Sequence, residues 1–165
     1  MNADAIRMLF DYHFALNRRV WDEGVSRLDA QQFTQDVGYS LGSIRNQVVH
    51  VASVDQRWFA RLRGASLPDR LDPAAFPDRA SVRSMWDAVE ADLGVYLRAL
   101  SDAAATAPVT FVAVEGRSRT TPAWHILVHV VNHGTDHRAQ ILSMLHGLGA
   151  PTLEQDLMLW LRDRR

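Results

Sequence analysis

The chain has 165 residues, 47% apolar and 22% charged, and its 18 basic and 19 acidic residues leave a formal net charge of -1. These values suit one globular domain, residues 1–165, with a real core, and they exclude the basic footprint of a nucleic-acid binder. No cysteine is present, so disulfides, thiolate ligands and an internal thiol nucleophile are excluded.

At the N-terminus, Asp4, Arg7 and Asp11 interrupt any signal-peptide core, and no apolar run reaches the roughly 18 residues of a membrane span. A cytoplasmic protein is expected, with no membrane partner. From Ala3 to about Arg27, Ile6, Phe10, Phe14, Leu16, Val20 and Trp21 recur at helical spacing, with Gly24 marking where the helix frays. Asp29 to Phe33 allows one further turn. A second long helix is predicted from Ser40 to about Arg63, carried by Ile44, Val48, Val51, Val54, Trp58 and Leu62 and stopped by Gly64. Residues 65–79 hold Pro68, Pro73 and Pro77 and read as an ordered, irregular loop.

A third helix is predicted from about Ala80 to Ala104. Val109 to Val114 is β-prone, and Gly116 followed by Arg117 to Thr121 completes a small hairpin. Thr121 and Pro122 offer a capping hydroxyl and a first-turn proline for a fourth helix, which runs to about His146 and stops at Gly147 or Gly149. Asp156 to Leu161 forms a short last helix. The expected architecture is all-α: a four-helix bundle with a β-hairpin before the last long helix.

Four of the seven histidines stand at four-residue intervals: His125, His129, His133 and His137. On a helix such residues share a face, and any adjacent pair can share a metal ion. Each step drifts by about 40°, so all four span about 120° and cannot meet one ion. The apolar neighbours Ile126, Leu127, Val128, Val130 and Val131 predict that the histidines face inward. A third ligand must come from another helix, and His50 is the best candidate, beside the face of Val51, Val54 and Trp58. Three histidines leave an open position, the usual arrangement of a catalytic metal. The zincin motif needs a glutamate after its first histidine, and di-iron bundles need Glu-x-x-His; neither occurs here.

Two stretches carry a family resemblance. One is Gly42-Ser43-Ile44-Arg45-Asn46-Gln47-Val48-Val49-His50, followed by Asp55 and Trp58. The other runs from His129 to Ile141 and contains His133-Gly134-Thr135-Asp136-His137-Arg138. With Gly149-Ala150-Pro151 and the closing apolar run, the chain resembles the DinB superfamily, the DinB/YfiT-like metalloenzymes, over nearly its whole length. The resemblance implies His50, His133 and His137 as the metal triad, with His129 beside the site. It also implies a bundle of DinB/YfiT-like connectivity, a homodimer, and a divalent ion, zinc or nickel. Characterised relatives are transferases and isomerases that use a low-molecular-weight thiol such as bacillithiol, mycothiol or glutathione. The expected partner is thus a small-molecule substrate.

A divalent ion with an open position would bind such a thiol and stabilise its thiolate for attack on an electrophile. Tyr12, His13, Asn17 and Trp21 are read either as pocket lining or as ordinary core. Arg138 either binds a substrate carboxylate or makes an ion pair. Asp55 and Asp136 are candidate acceptors for an imidazole N–H. The leading reading is a metal-dependent thiol transferase or hydrolase; the alternative is a non-catalytic metal-binding stress-response or sensor module. Trp58, Trp86, Trp124 and Trp160 are more indole than a small core needs, which fits an apolar dimer interface.

Overall fold

A computed structural model describes residues 1–113 and 115–163. The expected strand residue Val114 lies outside the described residues, as do Arg164 and Arg165. Four long helices form the frame: α1 (Ala3–Arg19), α3 (Ile44–Leu62), α4 (Arg79–Ala99) and α6 (Ala123–Gly147). Short helices α2 (Ala30–Thr34), α5 (Asp102–Thr106) and α7 (Leu157–Arg162) lie between or after them. The α6 helix packs against both α3 and α1, and α4 closes the bundle on α3. No helix among the described residues is long and apolar enough to cross a membrane.

Helix starts follow local chemistry. Asn2, Ser43, Ser101 and Asp156 each accept a backbone N–H of the first turn, and Asp29 and Asp78 do so within reciprocal capping boxes. Phe10, Phe59 and Leu127 are buried to 1% exposure or less. Each such side chain contributes about 1.5–3 kcal/mol. The bundle interior, and not the exposed connections, therefore holds the fold together.

Several boundaries differ from the pattern-based expectation. The first helix passes after Arg19 into a π turn (Val20–Gly24) and a 3-10 turn (Val25–Arg27). Gly24 is needed there because a Cβ would come within 2.7 Å of Leu145 Cδ1 on α6. The second long helix begins at Ile44, not Ser40. Ser40 has φ 51° and Gly42 φ 84°, both left-handed, so the chain turns until Ser43 can cap. The third ends at Ala99, five residues early. Arg7 on α1 donates to the carbonyls of Leu97 and Leu100 at 3.2 and 2.8 Å, satisfying the helix end before Ser101 starts α5.

Strands β1 (Pro108–Val112) and β2 (Ser118–Pro122) form the expected antiparallel hairpin, with Phe111 opposite Arg119. Thr121 does not cap α6. Its backbone pairs with Val109 in the hairpin, and its hydroxyl meets His125 Nδ1 at 2.7 Å. The loop after α3 is irregular apart from a 3-10 turn at Pro73–Ala75. Leu71 N donates to Ser53 Oγ at 3.0 Å and Arg57 donates to the Pro68 carbonyl, which ties that loop to α3. The tryptophans have partners within the chain: Trp86 meets Trp21, Trp160 meets Tyr12, and Trp58 meets Phe111.

Candidate metal centre

The α3 and α6 helices bring together one histidine from the first and two, a turn apart, from the second. Each of His50, His133 and His137 offers a ring nitrogen, and the three atoms lie within 4.8 Å of one another. Ring centroids are 5.3 Å apart for His50 and His133, 4.7 Å for His50 and His137, and 4.4 Å for His133 and His137. A tetrahedral ion with bonds of about 2.0–2.1 Å would set its ligand atoms roughly 3.4 Å apart. The cluster is therefore close to ligating geometry and needs only small ring movements.

A chain of side-chain amides orients His137. Its Nδ1 lies 2.6 Å from Gln47 Oε1, an acceptor, so Nδ1 carries the proton and Nε2 keeps its lone pair. Gln47 Nε2 in turn donates to Gln140 Oε1 at 3.0 Å, and Gln140 Nε2 donates to Asp136 Oδ2 at 3.2 Å. The Ser40 hydroxyl also donates to Gln140 Oε1. Asp136, expected as a direct partner of an imidazole, thus acts two amides away. Gln47 was not anticipated, although it stands three residues before His50 on α3 and so shares its face.

Burial holds all three imidazoles neutral, the form that ligates metal. The His133 pKa falls to about 3, through desolvation first and then repulsion from His137, His50, His129 and His13. Burial also lowers His50, helped by His137 and Arg70, and lowers His137 against the pull of Asp136 and Asp55. His133 Nδ1 is buried without a hydrogen-bond partner. Three neutral nitrogen donors, one of them held by an amide and one with an unused ring nitrogen, fit a divalent cation.

The rest of the ladder does not face inward. His125 and His129 are exposed. His129 has its ring 6.0 Å from that of His133 and 5.1 Å from that of Trp58. The drift of the helix turns the ladder out of the bundle toward the hairpin end. His146 is exposed as well.

A second buried polar group lies across α1, α3 and α6. His13 is fully buried; its Nε2 is 3.5 Å from Asp55 Oδ2, and its Nδ1 accepts from Arg138 Nη1 at 3.1 Å. Arg138 also donates to Asn17 Oδ1 (2.9 Å), Thr135 Oγ1 (2.8 Å) and Gln155 Oε1 (3.1 Å). It is 2% exposed, so it does not belong to the surface, and with Asn17 and Trp21 it lines only a small cavity of about 20 Å³. Burial lowers His13 and raises Asp55, each partly offset by the other. His13 rests on α6 at Gly134, where a Cβ would stand 2.1 Å from His13 Cε1. Asp55, read as a partner for a ligand imidazole, serves His13 instead; Tyr12 and Trp21 are core.

Beside His50 a cleft of about 410 Å³ opens between α3 and the loop after it, lined by Arg57, Trp58, Arg61, Arg70 and Leu71. His50 is the one residue shared by this cleft and the histidine cluster.

The family model for the DinB family matches residues 1–163. Protein DinB of Bacillus subtilis (strain 168) is 25% identical over 162 residues, covering 93% of this chain and 91% of that protein. Two solved structures share the fold at 16% identity. A DinB-like protein from Bacillus cereus ATCC 10987 superposes with a TM-score of 0.67 over 93% of this chain and 97% of its own. A DinB family member from Shewanella denitrificans gives 0.55 over 93% and 83%. The family model spans nearly the whole sequence and the fold agrees with it: this chain belongs to the DinB family.

Proposed function

We propose that this protein is a metal-dependent enzyme of the small-thiol transferase type, with His50, His133 and His137 as ligands of zinc or nickel. The observation that carries the reading is the approach of three neutral ring nitrogens, from two helices, at the edge of an open cleft. Bound there, a divalent cation would supply a Lewis-acid position that lowers the pKa of a thiol or water. The chain's own part is to place and to shield. Gln47 holds the His137 ring with Nε2 free. Three neutral ligands leave the charge of a dication uncompensated, which favours an anionic fourth ligand such as a thiolate.

Trp58 stands at the cleft wall and packs on His129. That contact supports a rim position for His129 and leaves the fourth place to an incoming molecule. The cleft favours a catalyst over a closed sensor or storage site, which would have no use for an approach to His50. Metal analysis of untagged protein tests the reading. Wild type is expected to carry one divalent ion per chain, and His50→Ala and His133→Ala to lose it. Full stoichiometric metal in both variants would discard this ligand set.

A further inference from the structure

The cleft beside His50 holds an excess of positive charge. Arg57 and Arg61 lie four residues apart on α3 and so share a face, and Arg70 comes from the loop pinned to that helix through Leu71 and Pro68. Arg57 donates to the Pro68 carbonyl and Arg61 to the Arg57 carbonyl at 3.3 Å. Neither acceptor carries charge. No described carboxylate forms an ion pair with any of the three, whereas Arg7, Arg18, Arg19, Arg63, Arg83 and Arg119 each meet one. Partial burial, and after it the charge of Arg57, push the Arg61 pKa down. The Trp58 and Phe111 rings lie 4.6 and 5.8 Å from the Arg61 guanidinium carbon and orient its fork.

Like charges lining one concavity focus the field on whatever enters it. The volume of about 410 Å³ suits a small molecule. We propose that this cleft binds the acidic groups of a small molecule carrying at least two carboxylates or phosphates, and that it turns the reacting end of that molecule toward His50. Only the direction of the reacting end rests on the metal-site reading; the anion site stands on the arginines.

The test has two arms. Succinate and inorganic pyrophosphate are titrated calorimetrically into metal-free wild type and an Arg61→Gln/Arg70→Gln variant. At least one should bind wild type, and its affinity should fall about tenfold or more in the variant; the tighter of the two identifies the acidic group. Arg70→Gln alone, which breaks no bond seen here, should weaken binding in the same direction, and an unchanged thermal melt shows that it folds. Binding of neither anion, or equal binding to the double variant, overturns the proposal.

In the second arm, zinc-loaded protein is titrated with mercaptosuccinate and with 2-mercaptoethanol. Mercaptosuccinate should bind about tenfold more tightly or better, and the double variant should erase that advantage. An advantage that survives in the variant also overturns the anion site. If mercaptosuccinate binds no better than succinate while the arginine dependence persists, the thiol–metal reading fails and the anion site stands.

Discussion

Two groups of histidine, one fully and one partly buried, lie side by side against α6, and they differ in what surrounds the rings. His13 is enclosed by an arginine, an aspartate and an asparagine, with both ring nitrogens facing side chains. His50, His133 and His137 face one another, and among the described residues Gln47 is the one side chain outside the trio that bonds a ring nitrogen. Desolvation depresses the pKa in both groups, so depression alone does not mark a metal site. The partners do. A histidine whose ring nitrogens are already partnered is a structural group; neutral imidazoles that converge with nitrogens to spare could hold a metal ion. The charge of Asp55 is felt at His13 and at His137.

That contrast can be broken by mutation. The largest effects are expected at the ligands: His133→Ala should abolish stoichiometric metal in elemental analysis while leaving the metal-free fold in place, since the ring is only half-buried. Arg138→Ala should do the reverse. Leaving buried acceptors such as Asn17 Oδ1 without their donor costs about 1–3 kcal/mol each, to be read from urea denaturation, while the folded fraction still takes up metal. An equal loss of metal and fold in both variants would erase the distinction.

Gly134→Ala sets two effects against each other. Alanine gains up to about 1 kcal/mol in helix propensity, but its Cβ would stand 2.1 Å from His13 Cε1, and overpacking costs about 1–3 kcal/mol. A net loss is expected. Combining it with His13→Ala should be non-additive, because the clash is then gone.

Gln47→Leu sharpens the ligand side. Loss of an orienting partner should weaken metal binding by about 10–100-fold, measured by chelator competition. The same burial can be tested in acid. The His133 pKa is lowered from 6.5 to about 3 in the folded chain, so the unfolded chain takes up the proton first as pH falls. Metal-free stability should be greatest above pH 6.5 and should decline between pH 6.5 and 3. His133→Ala should flatten that decline; an unchanged pH profile would mean that the ring is not held neutral by burial.

The bundle was legible because its signals are local and repeated. Ile6, Phe10 and Phe14 on α1 and Val48, Val51 and Trp58 on α3 keep helical spacing, and both hairpin strands appear where β-prone residues flank Gly116. Boundaries set by distant partners were not legible: α4 ends where Arg7 reaches its carbonyls, and the hydroxyl of Thr121 goes to His125 instead of a cap. The site divides in the same way. Spacing marks the histidine ladder, and it cannot say that only its last two members turn inward. Arg138 has no local pattern to show that it is buried, because its partners lie on α1 and in the segment after α6.

The hairpin adds little to the bundle's interior, and its Val112 is 64% exposed. One of its holds on α3 is the Phe111 ring set against Trp58, at 5.1 Å, and that indole is also a wall of the cleft. Grafting a different ribbon in its place would redraw that wall of the cleft, while the imidazoles are held from α3 and α6. The wall of the cleft and the interior of the bundle are thereby housed in separate parts, so one can be altered without endangering the other.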